Sequence, residues 1–246
     1  MKHLQILKTM LSKSVKLAIA TGLVASVVGC TAGNPYVEFA DRNEVITLGD
    51  SIFDLNSEIQ ANLESFAGQT FRDYTLSAAE IKGGILAVSV TEQYEDAKDT
   101  DANIDTVVMN GGGNDILIPA KAGDLYGCRT RWYRKNISSR CKNLVEDVYV
   151  DVVDLLNRME SENVENVIYL GYFHPKGSDA NLSQAVDYGN QWVEYACETT
   201  SAANCTFTPS VDTMTPADIE DDDIHPTVGG SLKLANLIWP HLEPLL

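Results

Sequence analysis

Val45-Ile46-Thr47-Leu48-Gly49-Asp50-Ser51 decides the fold. Four residues, three of them β-branched, stop at a glycine and give way to Asp-Ser. That is the grammar of a strand buried on both faces and ending in a loop. The same grammar recurs at residues 105–110, followed by Gly111-Gly112-Gly113-Asn114-Asp115, and again at residues 167–173. Between these runs the apolar spacing turns helical, over 84–97, over 144–159 (Leu144, Val148, Val152, Leu155, Leu156, Met159) and over 182–196. The tail adds a strand over 205–211, an acidic loop over 218–223 and a helix over 230–239 that Pro240 is expected to end. Strands alternating with helices make βαβ units. The expected fold is therefore α/β: one three-layer α/β/α domain over 43–246, with a mostly parallel sheet of about five strands. Ligands of such sheets sit at the carboxyl ends of the strands, where Ser51 and Asn114 both fall.

The composition fits that domain. The chain has 246 residues, 44% apolar and 22% charged, which excludes disordered, collagenous and coiled-coil proteins. Eighteen Lys and Arg against 35 Asp and Glu give a net charge of −17. A body this acidic is repelled by a phosphate backbone, so nucleic acid is not an expected partner.

Residues 1–29 carry Lys2, Lys8, Lys13 and Lys16, no acid, and an apolar run over 17–28. The run is shorter than the ~20 residues of a membrane span, and it ends in Val27-Val28-Gly29-Cys30, small residues before a cysteine. This resembles a bacterial lipoprotein signal peptide. The resemblance implies lipidation of Cys30, a linker over 30–42, and export. Thr31 after Cys30 is compatible with outer membrane sorting, on the periplasmic face or the cell surface. Loss of the leader leaves 14 basic residues against 35 acids, a charge of −21, so attachment would come from the lipid and not from surface charge. Four cysteines remain, Cys128, Cys141, Cys197 and Cys205, a number that suits an oxidising compartment. Of three connectivities, the expected one is the local pair Cys128–Cys141 with Cys197–Cys205, each closing a short segment between elements.

Nucleophilic acyl transfer needs a serine, a base, a carboxylate to orient the base, and donors for an oxyanion. Outside the leader the histidines are His174, His225 and His241. Only His225 has an acid three residues before it in a turn-rich loop, Asp222-Asp223-Ile224-His225-Pro226. Gly49-Asp50-Ser51, then Gly112-Gly113-Asn114-Asp115, then Asp222-x-x-His225-Pro226 follow the order and spacing of the SGNH, or GDSL-type, hydrolases, and the chain resembles that family from Val45 to Leu237. The resemblance implies a flavodoxin-like fold and ester or thioester hydrolysis without a cofactor or metal. It makes Ser51 the nucleophile, His225 the base and Asp222 its orienting carboxylate. The oxyanion donors would be the Ser51 N–H, the Asn114 side chain and a third N–H that the family takes from a glycine. Here that position is Ala78 in Leu76-Ser77-Ala78-Ala79, with Gly83 as the other candidate.

Two other chemistries fit poorly. The α/β-hydrolase elbow G-x-S-x-G fails because Phe53 stands where its second glycine belongs. The acidic run Glu220-Asp221-Asp222-Asp223 lacks the calcium-loop pattern and a second histidine nearby. Half of the basic residues outside the leader crowd into 121–142, together with Tyr126, Trp132 and Tyr133. This insert reads as a flap over the acyl site in which Arg131, Trp132 and Arg134 bind an anionic or sugar-bearing substrate. The expected protein is a monomeric, lipid-anchored ester hydrolase acting on an acetylated carbohydrate, a lysophospholipid or a short acyl ester. The rival reading is a lipid-anchored binding or scaffolding protein with a degenerate site.

Overall fold

A computed structural model describes residues 38–39, 44–177, 179–200 and 204–246. The expectations for the leader, for Cys30 and for nearly all of the linker lie outside the described residues. None of the described helices is long and apolar enough to cross a membrane.

Strands β1 (Val45–Leu48), β2 (Arg72–Asp73), β3 (Thr106–Met109), β4 (Asn166–Leu170) and β5 (Asn204–Thr208) lie in the order β2-β1-β3-β4-β5. Every pair is parallel. The order reverses between β1 and β3, so the carboxyl ends of these two strands face a crevice at the switch point, the usual ligand position of a doubly wound sheet. Alternation along each strand sorts the side chains onto two faces. Ile46, Val107 and Val167 are register partners and face one core with helices α3 (Val90–Thr100), α5 (Ser139–Ser161) and α6 (Ala180–Thr199). Val45, Val108 and Ile168 face a second core with α1 (Ser51–Asp54), α2 (Glu58–Ala67) and α7 (Val228–Leu242). Helix α4 (Gly113–Lys121) leaves the end of β3. The molecule is thus the three-layer α/β/α sandwich that the strand grammar predicts, with an all-parallel sheet.

The local signals behind these elements are ordinary ones. Ser89 and Glu92 close a capping box on α3, and Ser138, Asp179 and Thr227 cap α5, α6 and α7 with their side chains. Arg72 is fully buried, and its guanidinium donates to the carbonyls of Ala97, Asp101 and Asn103 at 3.1–3.3 Å, satisfying the carboxyl end of α3.

Three expectations change. Helix α7 runs through Pro240 to Leu242: Pro240 gives up one backbone hydrogen bond, and the fully buried Ile238 and Leu242 on either side of it hold the last turn in the second core. The stretch 84–89 is not helical, and α3 starts at its Ser89 cap. The basic stretch over 121–142, read as an insert, begins on the last residue of α4 at Lys121 and ends inside α5. The cysteines pair as expected, Cys128 with Cys141 and Cys197 with Cys205.

Candidate active site

Asp50 ends β1 and caps α1, accepting from the Ile52 N–H at 3.0 Å, so that Ser51 becomes the first residue of the helix. The approach is tight. A Cβ on Gly49 would lie 2.0 Å from Asn110 Oδ1, so only glycine fits there. Asn110 locks the turn from β3, its Oδ1 accepting from the Asp50 N–H (3.0 Å) and its Nδ2 donating to Asp50 Oδ1 (2.8 Å). Gln93 clamps Gly49 through both of its backbone groups, at 2.8 and 2.9 Å. Tyr172, beyond β4, donates its hydroxyl to Asp50 Oδ2 at 2.5 Å. Burial pushes the Asp50 carboxyl up against the lowering effect of these bonds. Ser51 therefore stands on a turn held from three other segments.

Leu76–Ala79 forms the facing turn, closed by the Ala79 N–H on Leu76 O at 3.1 Å. Ala78 occupies its third position with φ 66°, the left-handed conformation that such a turn usually gives to glycine. Asp54 of α1 accepts from the Ser77 N–H at 2.7 Å, which ties this turn to the nucleophile helix. Asn114, second residue of α4, donates to Ala79 O at 3.0 Å through one of its two amide hydrogens and keeps the other. Neither the Ser51 nor the Ala78 N–H is spent in the hydrogen bonding of the described residues. The approach of α4 is again set by glycine: a Cβ on Gly113 would lie 2.6 Å from the Tyr172 ring. Asp115 accepts from the Ile81 N–H at 3.0 Å, and burial pushes its carboxyl up to about 7.

His225 comes from the loop between β5 and α7. An antiparallel bridge, Ile219 to Pro226, closes this loop, and Lys176 donates to Ile219 O (3.3 Å) and Asp221 (3.1 Å). Asp222 Oδ1 accepts from the Ile224 and His225 N–H groups at 2.9 and 3.0 Å, and its Oδ2 is bonded to His225 Nδ1. Partial burial would raise the Asp222 carboxyl, but these bonds outweigh it and hold it down to about 2. An ionised carboxylate only accepts, so His225 Nδ1 carries the proton and Nε2 is the nitrogen left for chemistry.

Ser51, Ala78, Asn114, Asp222 and His225 line one open cleft with Leu55, Ser77, Leu117, Lys121 and Ile224. Gly83 is not in its lining and sits in an exposed loop at φ 72°, so of the two candidates for the third donor the structure brings Ala78 to the cleft. His174 pairs with Asp187 at 2.6 Å, a second His–Asp pair that does not line this cleft. The flap is not where the sequence reading puts it. Arg131 and Arg134 reach inward to the buried Asp124 carboxylate at 3.4 and 2.8 Å, and Trp132 is 88% exposed at the tip of the turn between them. None of the three lines the cleft. A buried carboxylate draws its counter-charges inward, which the linear run of arginines does not announce.

Several supporting residues went unread in the sequence: Gln93, Asn110, Asp115 and Tyr172. Asn110 directly follows β3 and Asp115 lies in the first turn of α4, on either side of Gly111-Gly112-Gly113, and both had a positional signal. Gln93 and Tyr172 are joined to the site only by packing.

No family model matches the chain, and neither does any curated protein sequence. Solved structures do. The crystal structure of TesA superposes with a TM-score of 0.58 at 15% identity, covering 82% of this chain and 99% of that one. A catalytic mutant of Axe2, an acetylxylan esterase from Geobacillus stearothermophilus, gives 0.58 at 15%, covering 80% and 93%. Est24, a carbohydrate acetylesterase from Sinorhizobium meliloti, gives 0.55 at 12%, covering 82% and 99%. The likeness defines the fold: the chain has the α/β/α fold of the SGNH hydrolases.

Proposed function

We propose that this protein is an SGNH-type serine ester hydrolase, with Ser51, His225 and Asp222 as its triad and the Ser51 N–H, Ala78 N–H and Asn114 amide as its oxyanion donors. The observation that carries the reading is the single cleft into which four separate segments deliver all five residues, with His225 oriented by an ionised Asp222.

In this mechanism His225 Nε2 takes the Ser51 proton as Oγ bonds to the ester carbonyl carbon. Charge gathers on the carbonyl oxygen and is met by the three donors. The C–O bond to the leaving group then breaks, and that oxygen takes the proton from His225. Water repeats the sequence on the acyl-enzyme, with His225 accepting its proton, and releases the acid and free Ser51. The named activities of the solved structures, on acetylated xylan and carbohydrate, support ester hydrolysis. The leader and Cys30 support a place outside the cytoplasm, on a lipid anchor, where an acyl ester would be the small-molecule partner.

The test is kcat/KM on p-nitrophenyl esters, with labelling by a fluorophosphonate. Ser51→Ala should lose both turnover and labelling. Asn114→Ala should lower kcat by about 10²–10³ in a folded protein. Turnover that survives Ser51→Ala would refute the mechanism. A folded, unlabelled wild-type chain would favour the rival binding role.

A further inference from the structure

Behind Ser51 lies a second cavity with about 110 Å³ of room for water-sized centres, part of it open to solvent. It shares Ser51, Asn114, Leu117 and Ile224 with the open cleft, so the two spaces meet at the nucleophile. Its far walls are apolar side chains of α4, α5 and α6, among them Ile116, Val148, Leu182 and Ala185. The polar side chains nearest Ser51 are committed elsewhere: Tyr172 to Asp50, Tyr169 to Gly111 O (2.9 Å), and Asn190 to the Tyr172 backbone at 2.7 and 3.0 Å. Among the described residues of the lining, the Trp192 indole Nε1 is the one buried polar side-chain atom without a hydrogen-bond partner, so the wall offers a sugar's several hydroxyls little to bond and suits a hydrocarbon better. Leu182 and Ala185 are backed in turn by a small core containing Cys128, Ile137 and Cys141. The disulfide-tied insert thus shores up the cavity wall.

Resting on the serine esterase reading, we propose that this cavity is an acyl pocket and that the protein prefers esters of medium-chain, apolar acids to acetate esters. Ala78 and His225 line the open cleft and not the cavity, so a carbonyl held at the oxyanion donors directs its leaving group to the cleft and its acyl chain inward. Each methylene buried there is worth about fourfold in kcat/KM.

Gly189 on α6 supplies the test. A Cβ at this position meets only Val145 Cγ1, at 3.9 Å, so a larger side chain enters the cavity without a backbone clash. It also replaces a helical glycine. The full chain, in lipid nanodiscs, is assayed on p-nitrophenyl acetate and octanoate as wild type and as Gly189→Leu, with Gly189→Ala as the milder variant should the leucine protein not fold. The octanoate-to-acetate ratio of kcat/KM should exceed ten in the wild type and fall at least tenfold in Gly189→Leu. Ser51-dependent acetate turnover with octanoate no better, or a ratio unmoved by the substitution, overturns the pocket and leaves the esterase standing. Calorimetry with octanoate on Ser51→Ala, referenced to empty nanodiscs, separates the two readings. Binding that Gly189→Leu abolishes supports the pocket even where no ester is turned over, and absent binding together with absent turnover rejects both.

Discussion

At the scale of single residues, Ala78 shows how a backbone group can outlast the residue type normally chosen to present it. In the proposed mechanism Ala78 lends its N–H to the oxyanion from the lining of the cleft, and its φ is 66°. An L-residue pays about 1 kcal/mol or more for that conformation, and glycine does not. Glycine also loses more chain entropy on folding, which offsets only part of that gain. Ala78→Gly should raise stability by up to about 1 kcal/mol in urea unfolding while keeping kcat within a few-fold. A loss of stability would mean that the methyl group is packed and that the turn is not strained.

At the scale of elements, the carboxyl end of α3 depends on one side chain from β2. Arg72 satisfies three carbonyls there and is the largest fully buried side chain of the described residues. Removing it leaves the Asp101 and Asn103 carbonyls short of a donor, while Ala97 O keeps the Asp101 N–H, at a cost of about 2–3 kcal/mol. Arg72→Met keeps most of the volume and should lower the urea midpoint by that amount, with α3 fraying first in amide hydrogen exchange. Since Gln93 on α3 clamps Gly49, activity should fall together with the cap. Unchanged midpoint and exchange would show that water replaces the guanidinium.

At the scale of the whole molecule, burial of carboxylates around the site ties stability to pH. Asp115 moves from an ordinary 3.8 to about 7 on folding, chiefly because it is desolvated. Between those values the folded protein keeps a proton that the unfolded chain has released, so stability falls as pH rises through about 4 to 7. Asp50, raised for the same reason, acts in the same direction. Urea midpoints should therefore be higher at pH 5 than at pH 8. Asp115→Asn, which keeps an acceptor for the Ile81 N–H, should shrink the difference. An equal difference in the variant would assign the effect to other groups.

How much of this was legible in the chain follows from how local each signal is. Strand β1 and its Gly-Asp-Ser ending, the rhythm of strands and helices, the local disulfides and the Asp222-x-x-His225 loop are local or ordered features, and they determined the fold and the candidate catalytic residues. The parallel pairing agreed because short buried strands joined by helices have few other ways to pack. What only the tertiary structure decided is where distant segments end up. Arg131 and Arg134 turn toward Asp124, away from the cleft. Gln93, Asn110 and Tyr172 hold the nucleophile turn from other elements, and three helices leave an apolar cavity beside Ser51. Each of these depends on burial, and burial is a property of the packed chain that no short stretch of sequence carries.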